Sequence, residues 1–249
     1  MSISVLAIIR ALVLLFYFIG LNILLVFIFL ARPFHRNNVS IGGKWYASMA
    51  WIFNVKVELE GQEHIDPEQN YICIANHQST FDLMTTAKCA FDGITTIGKK
   101  QLKFIPIFGF IYWLSGNIMI DRKHSGRAQD TLKETARQVN DGKRSVLFFP
   151  EGTRSYGRGL LPFKTGAMRI AQATGIPVMM IVTSSTHGKI RWNRWNNGVV
   201  KVRYYAPENM DDSKDIKGWT QYFYNLMHSR LVELDLETQA LNKALGVKP

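Results

Sequence analysis

The sequence predicts an α/β fold: a mainly parallel sheet flanked by helices, with an N-terminal hydrophobic membrane helix or two-helix hairpin. Three observations predict it. From Ala11 to Ala31 no residue carries a charge. After about residue 54, short apolar runs alternate with helix-like segments, the pattern of strands joined by crossover helices. Polar and basic clusters stand directly after several of the apolar runs, where open α/β sheets build their sites.

The N-terminal run is interrupted only by Gly20 and Asn22. As a helix it would extend roughly 32 Å, enough for a bilayer core. A secretory signal peptide fits poorly, because the apolar run is too long and no small-x-small cleavage site follows. Arg32, Arg36 and Lys44 follow the run, against Arg10 before it. If the helix spans, that bias places the C-terminal side in the cytoplasm. A second apolar-aromatic stretch, Trp45, Tyr46, Met49, Trp51, Ile52 and Phe53, could complete a hairpin dipping into one leaflet. Residues 1–54 are therefore expected to anchor the chain and residues 55–249 to form the α/β domain.

Val55–Leu59 alternates as a half-buried strand. Tyr71–Ala75 reads as a second strand, Phe81–Ala90 as a short helix and Gly93–Gly98 as a third strand. Phe104–Leu114 is helical with a break at Pro106 and Gly109, and Asn117–Ile120 begins another strand. Ser125–Asn140 is a polar helix with Leu132, Ala136 and Val139 on one side. Ser145–Phe149 is a continuous apolar strand of the buried parallel type. Thr165–Thr174 is a helix closed by Gly175, and Pro177–Thr183 and Gly198–Tyr205 are strands. From Ser213 to Leu245 the pattern is helical.

Composition narrows the partners. The 249 residues are 47% hydrophobic and carry a formal net charge of +11. The excess points to an anionic partner: nucleic acid, a membrane surface, a phosphorylated substrate or an acidic protein. Two cysteines, Cys73 and Cys89, provide neither a disulfide framework nor metal-ligand spacing, and a reducing compartment is permitted.

Three polar clusters follow apolar strands. The first is Asn76-His77 with Asp82, a histidine and a carboxylate separated by four residues. A carboxylate-held histidine equips a general base; alone, Asp82 could simply stabilise the start of the next helix. The second runs from Gly98-Lys99-Lys100 and Lys103 to Asp121-Arg122-Lys123. The third is Pro150-Glu151-Gly152-Thr153-Arg154-Ser155, followed by Arg158 and Lys164. Gly152 lets backbone approach a ligand, and Arg154 offers a donor fork suited to phosphate or carboxylate. A solvated basic surface, or a turn closed by a Glu–Arg pair, is the plainer alternative.

In order along the chain, Asn76-His77-x-x-x-x-Asp82, Gly98-Lys99-Lys100…Pro106…Gly109…Ile120-Asp121-Arg122, Phe149-Pro150-Glu151-Gly152-Thr153-Arg154-Ser155 and Gly175-Ile176-Pro177-Val178 resemble the four motif blocks of the glycerolipid acyltransferases. Length and the hydrophobic N-terminus look most like the bacterial members that acylate 1-acyl-glycerol-3-phosphate. The resemblance implies transfer of a fatty acyl group from an acyl-ACP or acyl-CoA thioester to the 2-hydroxyl of lysophosphatidic acid, giving phosphatidic acid at the membrane.

In that reading His77 is the base and Asp82 orients it. Substrate contacts are expected from Asn76, Lys100, Arg122, Glu151, Gly152, Thr153, Arg154 and Lys164. Glu151 either positions Arg154 or bonds a glycerol hydroxyl. No G-x-S-x-G elbow is present, so direct attack by the acceptor is simpler than an acyl-enzyme, and no metal or other cofactor is expected.

Alternatives remain at this point. The acceptor could be glycerol 3-phosphate or another lysophospholipid. Thioester hydrolysis would leave the basic clusters without a role. A membrane-tethered nucleic-acid binder would use Trp192, Trp195 and Tyr204 among Lys189, Arg191, Arg194, Lys201 and Arg203, but leaves the His–Asp pair unexplained; no nucleic-acid partner is expected. The plainer reading of that segment is a basic hairpin near anionic headgroups.

Overall fold

The computed structural model describes residues 4–120, 135–137, 139–140 and 144–247. Strands β1 (Val55–Glu60), β2 (Ile72–Ala75), β3 (Ile94–Lys99), β4 (Ile118–Ile120), β5 (Ser145–Phe148), β6 (Val178–Thr183) and β7 (Gly198–Tyr204) form one sheet. Its order is β1-β7-β6-β2-β5-β3-β4. Strands β2 to β6 run parallel. β7 is antiparallel to β6, and β1 pairs parallel with β7. The mainly parallel sheet is as expected, with a reversed pair at one edge.

Apolar residues on both faces of β2 and β6 explain why these strands lie in the middle. Cys73, Ala75, Met179 and Ile181 pack into one core. Ile72, Ile74, Val178, Met180 and Val182 pack into the other. The alternation is the period-2 pleat of a strand covered on both sides.

Helices α1 (Val5–Ala31), α2 (Asn38–Ala47) and α3 (Phe108–Leu114) cover the first face. Helices α4 (Gly166–Thr174) and α5 (Ile216–Ala244) cover the second, through Met168, Ile170, Trp219, Phe223, Met227 and Leu234. Asp215 caps α5 by accepting the Gly218 amide at 2.7 Å. Gly175, at φ +67°, ends α4.

The N-terminal hairpin is present and is docked on the domain. α1 and the segment Asn38–Phe53 run antiparallel: Arg10 bonds the Ile52 carbonyl, the Tyr17 and Ser48 hydroxyls meet at 2.9 Å, and Tyr46 donates to Asn22 at 2.9 Å. Tyr46, Met49, Ile52 and Phe53 are buried beneath α1, and Trp51 faces outward. The opposite stripe of α1, including Ile8, Leu12, Leu15, Phe16, Ile23 and Phe27, is exposed. An apolar stripe of this length, left open on a helix whose other side is docked, suits a lipid surface.

One element differs from expectation. Phe81–Ala90 is no α-helix but two 3₁₀ turns, Thr80–Leu83 and Thr86–Cys89. Thr85 Oγ1 bonds back to the Phe81 carbonyl, and Thr86 Oγ1 meets Thr183 Oγ1 at 3.0 Å. Threonine hydroxyls so engaged compete with helix propagation. The expected Ser125–Asn140 helix is helical at 135–137 and 139–140. Its remainder, including Leu132, lies outside the described residues, as do Asp121, Arg122 and Lys123.

Candidate active site

The parallel strands share one carboxyl edge, and register sets their exits side by side. Ile74 of β2 pairs with Phe148 of β5 and with Met180 of β6, while Leu147 of β5 pairs with Thr96 of β3. The chain therefore leaves β2 toward His77 and leaves β5 toward Glu151 as neighbours.

Asp82 gathers three donors on one oxygen. Its Oδ2 lies 2.6 Å from His77 Nδ1 and accepts the amides of Gln78 at 2.7 Å and Ser79 at 3.2 Å. Ser79 Oγ accepts the Phe81 amide at 3.1 Å, completing a capping box with Asp82. Bonds to an ionised acceptor contribute about 1.5–3 kcal/mol each, enough to offset burial of a carboxylate whose side chain is 6% exposed. The His77 side chain stays 20% exposed. Its ring stacks on Phe149, with centroids 4.2 Å apart and planes 24° apart. A fixed Nδ1 leaves Nε2 as the nitrogen for a substrate proton.

The third cluster supports the first through its backbone. Glu151, 4% exposed, accepts the His77 amide at Oε1 (2.6 Å) and the Leu161 amide at Oε2 (2.9 Å). In return, the Ser155 and Tyr156 amides donate to the His77 and Gln78 carbonyls, both at 2.9 Å. Burial raises the Glu151 carboxyl above the ordinary glutamate range, and the two backbone amides pull the other way. Glu151 is thus a clamp between loops. Both its oxygens serve backbone amides and neither pairs with Arg154, so burial sets it to hold the His77 loop rather than to orient Arg154.

Asn76 is likewise turned to backbone. It is 1% exposed and exchanges two bonds with the Thr183 backbone, at 2.8 and 2.9 Å. Its amide joins β2 to β6 and leaves no surface for a ligand. Gln78, which the sequence did not single out, bonds the Thr183 and Ser184 carbonyls and the Thr186 amide. Phe149 was likewise missed as a stacking partner, although it opens the third sequence block.

The cations divide. Arg154 is half-buried, with Nη1 3.3 Å from the Tyr156 hydroxyl. Thr153 and Lys164 are exposed on the same loop. A Cβ on Gly152, which sits at φ +70°, would come within 2.7 Å of Lys164 Nζ, so this turn uses both freedoms of glycine. Lys100 is exposed on the 3₁₀ turn that follows β3, at the same sheet edge. A Cβ on Gly109 would meet the Leu102 and Lys103 carbonyls at 2.4 and 2.6 Å, so glycine lets α3 pack on that turn.

A carboxylate-oriented histidine at the carboxyl edge of a parallel sheet, with Arg154, Lys164 and Lys100 on loops at the same edge, has the equipment of a general base working beside anionic groups. The chain belongs to the acyltransferase family, whose model matches residues 56–184. It is 39% identical over 203 residues to 1-acyl-sn-glycerol-3-phosphate acyltransferase of Haemophilus influenzae, covering 81% of this chain and 85% of that one. It is 38% identical over 210 residues to the Escherichia coli protein of the same name, covering 84% and 86%. The fold is similar to the crystal structure of the 1-acyl-sn-glycerophosphate (LPA) acyltransferase, PlsC, from Thermotoga maritima, at a TM-score of 0.70 and 24% identity over 91% of this chain and 97% of that one.

Proposed function

We propose that this enzyme transfers a fatty acyl group from an acyl thioester to the 2-hydroxyl of 1-acyl-glycerol-3-phosphate, giving phosphatidic acid. The observation that carries the chemistry is the His77 Nδ1–Asp82 Oδ2 bond at 2.6 Å. An alcohol is a weak nucleophile at neutral pH. His77 Nε2 takes the hydroxyl proton as the oxygen attacks the thioester carbonyl, and Asp82 stabilises the imidazolium. The tetrahedral intermediate collapses with loss of thiolate, which recovers the proton from His77. Ester and free thiol are the products. The amides of His77, Gln78, Ser79, Ser155 and Tyr156 are already engaged, so the oxyanion takes its donors from elsewhere on the edge.

Arg154, Lys164, Lys100 and Arg122 are assigned to the acceptor phosphate, with Gly152 and Thr153 shaping the loop that approaches it. The donor is an acyl carrier protein or coenzyme A thioester, and the protein itself uses no cofactor. Residues 1–54 form the membrane anchor and residues 55–249 the catalytic domain. From Arg10 to Phe29, about 29 Å of helix, α1 follows the domain. We therefore place it in one leaflet, at the cytoplasmic face of the inner membrane, where a single-chain acceptor already resides. The test is a membrane-fraction assay with lysophosphatidic acid and, separately, acyl-ACP and acyl-CoA, read by product mass beside glycerol 3-phosphate and other lysophospholipids. Absence of phosphatidic acid with both donors would overturn the proposal.

A further inference from the structure

We propose that the loop Lys189–Trp195 is a second membrane contact, one that binds anionic lipid head groups beside the active site. The proposal rests on the reading of α1 as a membrane anchor. The loop begins at the wall of the histidine loop: the Thr186 amide donates to Gln78 Oε1 at 2.8 Å. It ends at Asn197, whose side chain bonds the Phe53 carbonyl and the Arg191 amide, both at 2.7 Å.

Between these points Arg10 ties the loop to α1. Arg10 is 5% exposed, and its guanidinium donates to the carbonyls of Ile52, Arg191, Trp192, Arg194 and Trp195 at 2.5–3.3 Å. Ile9 and Leu12, near Arg10 on the helix, are each 52% exposed. The loop is thereby fixed against the N-terminal part of the helix that carries the open apolar stripe.

Its chemistry is that of a headgroup contact. No acidic residue occurs between Glu151 and Glu208, and Lys189 and Arg191 are exposed. Trp195 is 75% exposed, and Trp51, next to the Ile52 carbonyl, is 58% exposed. Trp192 packs edge-on against Phe53 at 4.8 Å. Tryptophan prefers the headgroup level, and basic residues there are drawn to anionic lipid.

The competing nucleic-acid surface loses three of its eight members. Tyr204 is 2% exposed. Lys201 and Arg203 are paired with Glu60 and Glu237.

Flotation of detergent-purified full-length protein with vesicles tests the proposal. Wild type should bind phosphatidylcholine vesicles through α1 and bind more tightly when phosphatidylglycerol is included, with the increment removed by salt. A Lys189→Gln/Arg191→Gln variant should keep neutral-vesicle binding and micellar turnover while losing the increment, by about fivefold per cation. Trp195→Ala should weaken binding and remove the quenching of tryptophan fluorescence by brominated lipid at that position. An undiminished increment in the double variant, together with unchanged quenching in Trp195→Ala, would overturn the proposal. Salt-sensitive oligonucleotide binding that the double variant loses, with vesicle binding unaltered, would also overturn it. No flotation of wild type with either vesicle would overturn the membrane reading of α1 and this inference with it.

Discussion

The backbone amide of His77 donates to the buried carboxylate of Glu151 at 2.6 Å, joining two loops that lie far apart in sequence. His77 is therefore held from two sides. Asp82 fixes its ring, and Glu151 fixes its main chain.

His77→Ala should abolish acyl transfer in a protein that stays folded and membrane-bound. General-base assistance contributes on the order of 10²–10⁴-fold, so turnover should fall at least that far. Turnover by product mass, with circular dichroism on the same sample, checks it. Substantial residual turnover would remove His77 as the base.

Asp82→Asn should lower kcat by about 10²–10⁴ while leaving KM for both substrates nearly unchanged. The amide retains an acceptor for Gln78 and Ser79 but no longer selects the tautomer that Oδ2 selects. Asp82→Ala should add a loss of about 2–4 kcal/mol in stability, because two buried amides lose their acceptor. Steady-state kinetics and thermal unfolding separate the two effects.

For Glu151 the expected signature is a pH dependence. Burial raises its pKa in the folded protein. The native state then holds a proton that the unfolded chain has released. Stability from this group is present below the ordinary glutamate range and lost as pH rises through the raised value. The advantage of wild type over Glu151→Gln should therefore shrink as pH rises through that window. Denaturant midpoints in detergent between pH 4 and pH 7 measure this, and an advantage that grows with pH would contradict it.

Arg154→Ala should raise KM for the phosphorylated acceptor about 10- to 100-fold, the range of one charge-assisted bond, with a smaller effect on the thioester. Equal effects on both substrates would make Arg154 structural.

Arg10→Leu should release the loop Arg191–Trp195 from α1, since five carbonyls, those of Ile52, Arg191, Trp192, Arg194 and Trp195, lose one common donor. A cost of about 3 kcal/mol is expected, together with faster proteolysis within the loop than in wild type. An unchanged cleavage pattern would show that Asn197 alone holds the segment.

Much of this was legible in the residues. Continuous apolar runs such as Ser145–Phe149 marked buried parallel strands, and the uncharged Ala11–Ala31 run marked the anchor helix. His77 and Asp82 stood out because their spacing suits a local contact. Phe81–Ala90 departs from the helix its residues suggest because Thr85 bonds back to the Phe81 carbonyl and Thr86 meets Thr183, far off in sequence. Asn76 and Glu151 look like ligand contacts in a linear motif, and only burial reveals that both bind backbone.

The sequence by itself determined the strand and helix periodicity, the histidine–carboxylate pair and the basic character of the clusters, because these depend on local spacing and side-chain chemistry. Tertiary structure decided which amide each carboxylate serves and which cations stay open. It also decided which face of α1 is docked on the domain. Those outcomes depend on strand order and register, which bring β2 beside β5 and β6, and no local pattern in the chain encodes that adjacency.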